Sequence, residues 1–306
     1  MKLEYVDPSK ENWFLITWDL GNKCNYRCSY CPSMFNDGSS GWPGWTDVEN
    51  FVKQINDKIS FKDICFRISG GEPTYWKHFI DFAKSAKSYN NSFSFLSNGS
   101  RPVEYFEEIA PFTDGLILSY HPEYASKAHF VEISKVMNCP VAVNLMMSPD
   151  NFNEMLEIAE YLYNNSTMAI WPKLILDKQT MSNEVAPYTD EQKDKIKNWP
   201  YFRKLDDSKI HRGELLLDNN PVTANDLILQ GLNKHRGWTC WAGIDMINID
   251  FTGTIFRANC EQGFSLGTIS NFNLPQSPII CNKNECNCLS DIYLRKHNEQ
   301  DTIIVN

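Results

Sequence analysis

Residues 21–31, from Gly21 to Cys31, read GNKCNYRCSYC and space three cysteines, Cys24, Cys28 and Cys31, as C-x3-C-x2-C. A free cysteine is usually a small buried apolar residue, and such residues do not gather within so few positions of a polar loop rich in Asn and Tyr. Thiolates this close together hold a metal instead. Three sulfurs can occupy three iron corners of a 4Fe–4S cube and leave the fourth iron open to another ligand. Zinc would want a fourth protein ligand, and the local sequence offers no further His or Cys.

Some forty residues on comes a second motif, ISGGEPTYW, Ile68–Trp76, directly after the apolar run Ile64 to Ile68. Adjacent glycines after a strand let the backbone pass close to a bound ligand, while their carbonyls and Glu72 can accept from an ammonium group. Gly-Gly and Pro also mark ordinary strand-to-helix turns, so the motif gains its weight from following the cysteine triplet in order.

Together the two motifs resemble the radical S-adenosylmethionine (SAM) enzymes, whose signature is C-x3-C-x-aromatic-C; Tyr30 supplies the aromatic before Cys31. The resemblance runs from about Trp13 to about Asp177. It implies a 4Fe–4S cluster on Cys24, Cys28 and Cys31, with the open iron chelating the amino and carboxylate groups of SAM. It also implies that Gly70, Gly71 and Glu72 bind the amino group and that Tyr30 lies near the adenine. Ser97 and Asn98 then approach the ribose or carboxylate. Ser119 and Asn144, at the next strand ends, complete the expected cofactor-binding set, with His121 and Met146 beside them. One electron, from a donor such as flavodoxin or ferredoxin, would cleave SAM to methionine and a 5′-deoxyadenosyl radical that abstracts hydrogen from a substrate. No general base is identifiable.

Composition sets the bounds. The chain has 306 residues, room for one large domain and a small appendage. Its 42% apolar content suits a globular protein, and no segment approaches an uninterrupted membrane span. The opening MKLEYVDPSKENW lacks the apolar segment of a secretory signal. A net charge of −9 argues against a broad nucleic-acid surface. Ten cysteines without an export signal read as metal ligands and thiols, and the reduced cytoplasm is the expected location.

Strand-like runs at 13–20, 64–69, 92–96, 115–119, 141–145 and 168–176 alternate with amphipathic stretches at 47–57, 77–89, 103–109, 124–137 and 153–163. In the last, Met155, Ile158, Ala159 and Leu162 recur at helical spacing. Right-handed crossovers then give a parallel sheet, and the expected fold is α/β, a partial (β/α)6 barrel. The motifs fall at the C-terminal strand ends, where parallel α/β folds bind ligands. The expected division is a barrel over residues 1–180, a bridge closing over it at 181–234, and a C-terminal auxiliary domain at 235–306. Within the bridge, Thr189 caps a predicted helix over Asp190–Asn198.

The tail carries Cys240, Cys260, Cys281, Cys286 and Cys288. Between the first two, Asp245–Asp250 and Thr254–Arg257 read as a hairpin turning at Thr252-Gly253, which brings both thiols near one end. Four of the five can complete a second 4Fe–4S cluster, and a four-cysteine zinc ribbon is the alternative. The tail resembles the Twitch and SPASM extensions in Cys240, Gly253, Cys260, Leu266–Ile269 and the terminal cysteines. It departs in having six residues between Gly253 and Cys260, where the pattern has about four. It also has too few cysteines for two auxiliary clusters. A single Twitch-like cluster follows, on Cys240, Cys260, Cys281 and one of Cys286 and Cys288. Cys65 and Cys139 are expected to pack in the core.

The resemblance leaves two substrate classes. The first expectation is peptide or protein modification; the alternative is a small molecule such as an aminosugar, nucleoside or cofactor precursor. A non-catalytic iron–sulfur carrier or zinc-binding module is the third reading, and the GGEP turn speaks against it. A simple SAM methyltransferase lacks support, since no G-x-G-x-G turn follows the first strand.

Overall fold

The computed structural model describes residues 2–6, 12–175, 185–203, 205 and 214–298. The strands are β1 (Leu3–Val6), β2 (Trp13–Asp19), β3 (Asp63–Ser69), β4 (Ser92–Ser97), β5 (Gly115–Tyr120), β6 (Val141–Met147) and β7 (Ala169–Leu174). Between them run α1 (Trp45–Lys58), α2 (Phe79–Ser88), α3 (Val103–Ile109), α4 (Lys127–Val136) and α5 (Phe152–Asn165). After β7 come α6 (Asp190–Lys197), β8 (Glu214–Leu217), β9 (Asn220–Val222) and α7 (Ala224–Leu229).

β2 to β7 pair in sequence order and in parallel, as the alternation predicts. Each strand turns one face to the helices. Phe66, Phe93 and Phe95 lie there with Phe79 and Phe82 of α2, fully buried and mostly in edge-to-face contact. The opposite face carries smaller and polar residues, including Thr17, Ser94 and Asn144. Strand alternation thus separates an aromatic core from an inner surface able to receive a ligand.

The sheet does not stop at six strands. After β10 (Thr239–Cys240), the hairpin of β11 (Met246–Ile249) and β12 (Thr254–Phe256) joins it, β11 pairing in parallel with β2 from Met246↔Leu15 to Ile249↔Trp18. β13 (Gly267–Thr268) and β14 (Asn271–Phe272) continue it antiparallel. The expected hairpin is present, but its first strand is part of the barrel wall rather than of a detached tail. Ile247 and Ile249 explain why: both are buried in the main core, and pairing with β2 puts them on its apolar face. The remaining tail elements are β15 (Ile279–Ile280), α8 (Leu289–Ile292) and β16 (Lys296–His297), with β10 lying between β15 and β16.

β7 is the other sheet edge. Its Pro172 removes no ladder donor on an unpaired side, and the described part of the bridge covers it. Trp199 Nε1 donates to the carbonyl of Ile170 and Asn225 Nδ2 to that of Pro172. The expected helix appears as α6, with Thr189 and Gln192 forming a reciprocal capping box. The expected barrel–bridge boundary at residues 180–181 lies outside the described residues, as does Leu176, the end of the sixth expected strand. No helix among the described residues is long and apolar enough to cross a membrane.

Candidate metal and cofactor site

The cysteine loop leaves the C-terminal end of β2 and is held from below by the Gly-Gly turn. Gly70 has φ +88° and Gly71 φ +48°. A Cβ on Gly71 would lie 2.3 Å from the carbonyl oxygen of Lys23, and one on Gly70 would lie 2.7 Å from that of Gly21. Both glycines therefore make room for the chain's own backbone entering the loop. The amide of Glu72 then donates to the Lys23 carbonyl at 2.9 Å.

Glu72 is wholly buried. Its Oε1 accepts from the Thr74 hydroxyl at 2.6 Å and the Ser97 hydroxyl at 2.9 Å, and its Oε2 from the Asn98 amide at 2.6 Å. Burial pushes its pKa up against the opposing pull of these donors. The carboxylate ties the ends of β3 and β4 together, so its protein partners are Thr74, Ser97 and Asn98. Asn98 extends the network: its Nδ2 donates to Asn25 Oδ1 at 2.9 Å and approaches Cys24 Sγ at 3.7 Å. The amide of Tyr26 also donates to Cys24 Sγ, at 3.3 Å. Such donors favour the thiolate a metal requires.

The far side of the loop is fastened to the end of β5. Tyr30 Oη lies 2.6 Å from His121 Nδ1, and the two rings stack. Ser29 donates from its amide and hydroxyl to Glu123. Tyr26 stacks on Tyr124. Burial lowers the His121 pKa to about 4, against the pull of Glu123, so the ring is neutral near neutral pH. Asn22, buried at the loop's start, donates to Met34, Asp37 and Ser39 and accepts from the Ser40 amide. The ring of Trp42 covers Gly21, and Trp45 stacks on His78, so both tryptophans anchor the loop and its exit.

The three loop thiols are near enough to disfavour one another's ionisation. Burial is the larger cause, raising Cys24 and pushing Cys28 to about 12. Among the described residues no set of His, Cys, Asp or Glu is drawn in to metal-binding distances. The donor set nevertheless fits a cluster: three soft sulfurs, with a backbone amide and a side-chain amide directed toward Cys24.

Ser119, Asn144 and Trp171 form one row across β5, β6 and β7. Asn144 and Trp171 also line a cavity of about 450 Å³ against the bridge, with Trp199, Asn225 and Tyr293 on its other walls. Cys65 is buried in β3, and Cys139 packs against the main core with its thiol pushed to about 12 by burial, as expected of core cysteines.

Of the five tail cysteines, Cys240 and Cys286 lie near Lys296 and Tyr5. Cys240 faces Lys296 directly in the β10–β16 pairing. Cys240, Cys281, Cys260, Cys286 and Cys288 are linked by mutual charge effects. Burial pushes Cys260 to about 12, Cys288 to about 11 and Cys286 higher still. Asp291, buried in α8, accepts from the Cys260 amide at 2.7 Å and from Asn259 Nδ2 at 2.9 Å. His235 hydrogen-bonds Tyr5 Oη through Nε2 at 3.1 Å. Burial and the Lys296 charge lower its pKa to about 3.

Sequence reasoning missed Asn22, Asn25, Glu123, Asp291 and Lys296. Asn25, Glu123 and Asp291 work through partners distant in sequence, Asn22 through the turn of its own loop and Lys296 through nearby carbonyls, and no local spacing marks any of them.

Residues 18–165 match the family model described as Radical SAM superfamily. The GTP 3',8-cyclase of Haemophilus influenzae (strain 86-028NP) is 26% identical over 80 residues, 26% of this chain and 24% of that protein. The S-adenosylmethionine-dependent nucleotide dehydratase of Fibrobacter sp. (strain UWH6) is 28% identical over 104 residues, 32% of this chain and 30% of that one. The chain thus aligns with only about a quarter to a third of the length of these curated relatives. Among solved structures, native anSMEcpe with bound AdoMet has a TM-score of 0.54 at 13% identity, covering 85% of this chain and 78% of that one. Streptococcus suis SuiB bound to its precursor peptide SuiA has a TM-score of 0.55 at 11% identity, covering 84% and 63%. Both likenesses concern the fold.

Proposed function

We propose that the chain is an enzyme of the Radical SAM superfamily, whose family model matches residues 18–165, that it carries a 4Fe–4S cluster on Cys24, Cys28 and Cys31, and that it uses SAM to abstract hydrogen from a small molecule. The observation that carries the reading is the Gly70–Gly71–Glu72 turn seated under the cysteine loop at the C-terminal edge of a parallel sheet. When bound, the cluster and SAM supply a 5′-deoxyadenosyl radical after one-electron reduction.

The chain's own residues do the rest. Gly70 and Gly71 let the loop descend onto the sheet, and Glu72 fixes that turn against Ser97 and Asn98. Asn98 and the Tyr26 amide steady Cys24, while His121 and Glu123 hold Tyr30 and Ser29 over the barrel mouth. Ser119, Asn144 and Trp171 offer the surface for SAM and substrate. A second 4Fe–4S cluster on Cys240, Cys260, Cys281 and Cys286 or Cys288 is part of the proposal, supported by the gathering of those thiols.

Peptide modification was the first expectation, and the fold neighbours that hold peptides share too little sequence to support it. The curated relatives are named for nucleotide reactions, and the cavity beside Asn144 and Trp171 has a size that suits a small ligand. These favour the small-molecule reading, with nucleotides the first class to test. The test is anaerobic reconstitution with iron and sulfide, followed by dithionite-driven SAM cleavage in wild type and Cys28→Ala. The expected result is about eight irons per chain and 5′-deoxyadenosine from wild type alone, its release rising on addition of the right nucleotide. No SAM cleavage under strong reduction would refute the catalytic reading. Stimulation by peptides and not nucleotides would return the substrate to the first expectation.

A further inference from the structure

Lys296 is buried, and its position is unusual for a cation. Its Nζ donates to the carbonyl oxygens of Asp291, Ile292 and Leu294, all neutral acceptors. The carboxylate of Asp291, which accepts from Asn259 and the Cys260 amide, is one nearby opposite charge. The ammonium lies 5.4 Å from the centre of the Tyr5 ring. Across the β10–β16 ladder Lys296 is the direct partner of Cys240, and side chains so paired project from one face.

Carbonyl dipoles and the one carboxylate offset part of the cost of burying an ammonium, and burial leaves its charge little screened by water. As neutral thiols the neighbouring Cys240 and Cys286 add no further counter-charge. As thiolates on a metal centre they do. Resting on the second-cluster reading above, we propose that Lys296 is the built-in counter-cation of an anionic centre on the tail cysteines, and that its charge holds the reduction potential of that centre up. A fixed positive charge close to a cluster stabilises the reduced state more than the oxidised one, because the reduced state is one unit more negative.

The test uses the full-length chain with Cys24, Cys28 and Cys31 replaced by Ala, so that only the tail centre takes up iron, compared with the same chain carrying Lys296→Gln or Lys296→Arg. Iron content, potentiometric EPR, and thermal unfolding with and without metal are measured. The parent should bind about four irons. Lys296→Gln should lower the potential by a tenfold change in the oxidised-to-reduced ratio or more, about 59 mV for one electron, and Lys296→Arg should restore most of it. Without metal, the Gln variant should keep its fold, and its gain in melting temperature on loading should be smaller than the parent's.

Equal potentials in parent and Gln variant, with iron bound in both, would overturn the inference and leave the second cluster standing. A Gln variant that has already lost its fold without metal would show a merely structural lysine and overturn it as well. A parent that takes zinc, or no iron, would overturn the second-cluster reading and this inference with it.

Discussion

The carbonyl oxygen of Lys23 accepts a hydrogen bond from the amide of Glu72 at 2.9 Å, and the same oxygen occupies the place where a Cβ on Gly71 would sit. One backbone atom thus joins the two motifs that are separated by some forty residues of sequence. The cysteine loop is held in place by a turn that tolerates no side chain.

Gly71→Ala should therefore uncouple the loop from the sheet. The residue would face a 2.3 Å contact with backbone at φ +48°, where neither partner is a flexible side chain. The left-handed conformation alone costs a non-glycine residue about 1–2 kcal/mol. Iron on the loop should fall by about four per chain with the tail centre retained, and far-UV circular dichroism should be unchanged.

Glu72→Ala should be worse for the fold than for any single contact. It strips acceptors from the Thr74 and Ser97 hydroxyls and the Asn98 amide, all buried. Each stranded donor costs about 1–3 kcal/mol. Urea denaturation should show a loss of several kcal/mol, with Glu72→Gln falling between the two.

Asp291→Ala should act on the tail alone. Its carboxylate fixes the backbone of Cys260 and Asn259, and nothing in the barrel loop touches it. Iron should drop from about eight to about four per chain while dithionite-driven SAM cleavage persists.

Asp245→Ala should destabilise the join between tail and barrel. Asp245 binds Lys62 Nζ at 2.9 Å and Arg295 Nε at 2.9 Å, and both Asp245 and Lys62 are largely buried. Removing the shared carboxylate leaves two cations facing each other, at a cost of about 3–5 kcal/mol. Asp245→Asn should recover only part of it in the same denaturation assay.

The metal-free chain should lose stability in mild acid. His121 and His235 have an ordinary pKa of 6.5 in the unfolded chain, and burial lowers them in the folded protein to about 4 and about 3. Below pH 6.5 the unfolded chain binds protons that the folded chain refuses, so stability is full above that pH. It falls by about 1.4 kcal/mol per pH unit for each histidine, levelling off near pH 4 for His121 and pH 3 for His235. Urea midpoints between pH 7.5 and 4.5 should trace this decline, and His235→Phe should flatten it.

The cysteine triplet, the turn that follows it and the alternation that makes a parallel sheet were all legible in the sequence. All three are local: thiol spacing, a glycine pair after an apolar run, and apolar periods of two and of about three and a half residues. Even the start of α6 was legible, because Thr189 and Gln192 sit within one turn of each other. Tertiary structure alone decided what those motifs rest on. Gly71 is shaped to the Lys23 carbonyl, Glu72 to Ser97 and Asn98, Tyr30 to His121, and Lys296 to Cys240, each partner lying far off in the chain. It also decided that β11 belongs to the barrel wall, since a hairpin reads the same whichever sheet receives it. Side-chain period records which face a residue takes. Only packing selects the partner, because burial and hydrogen bonding are settled by atoms that meet in space.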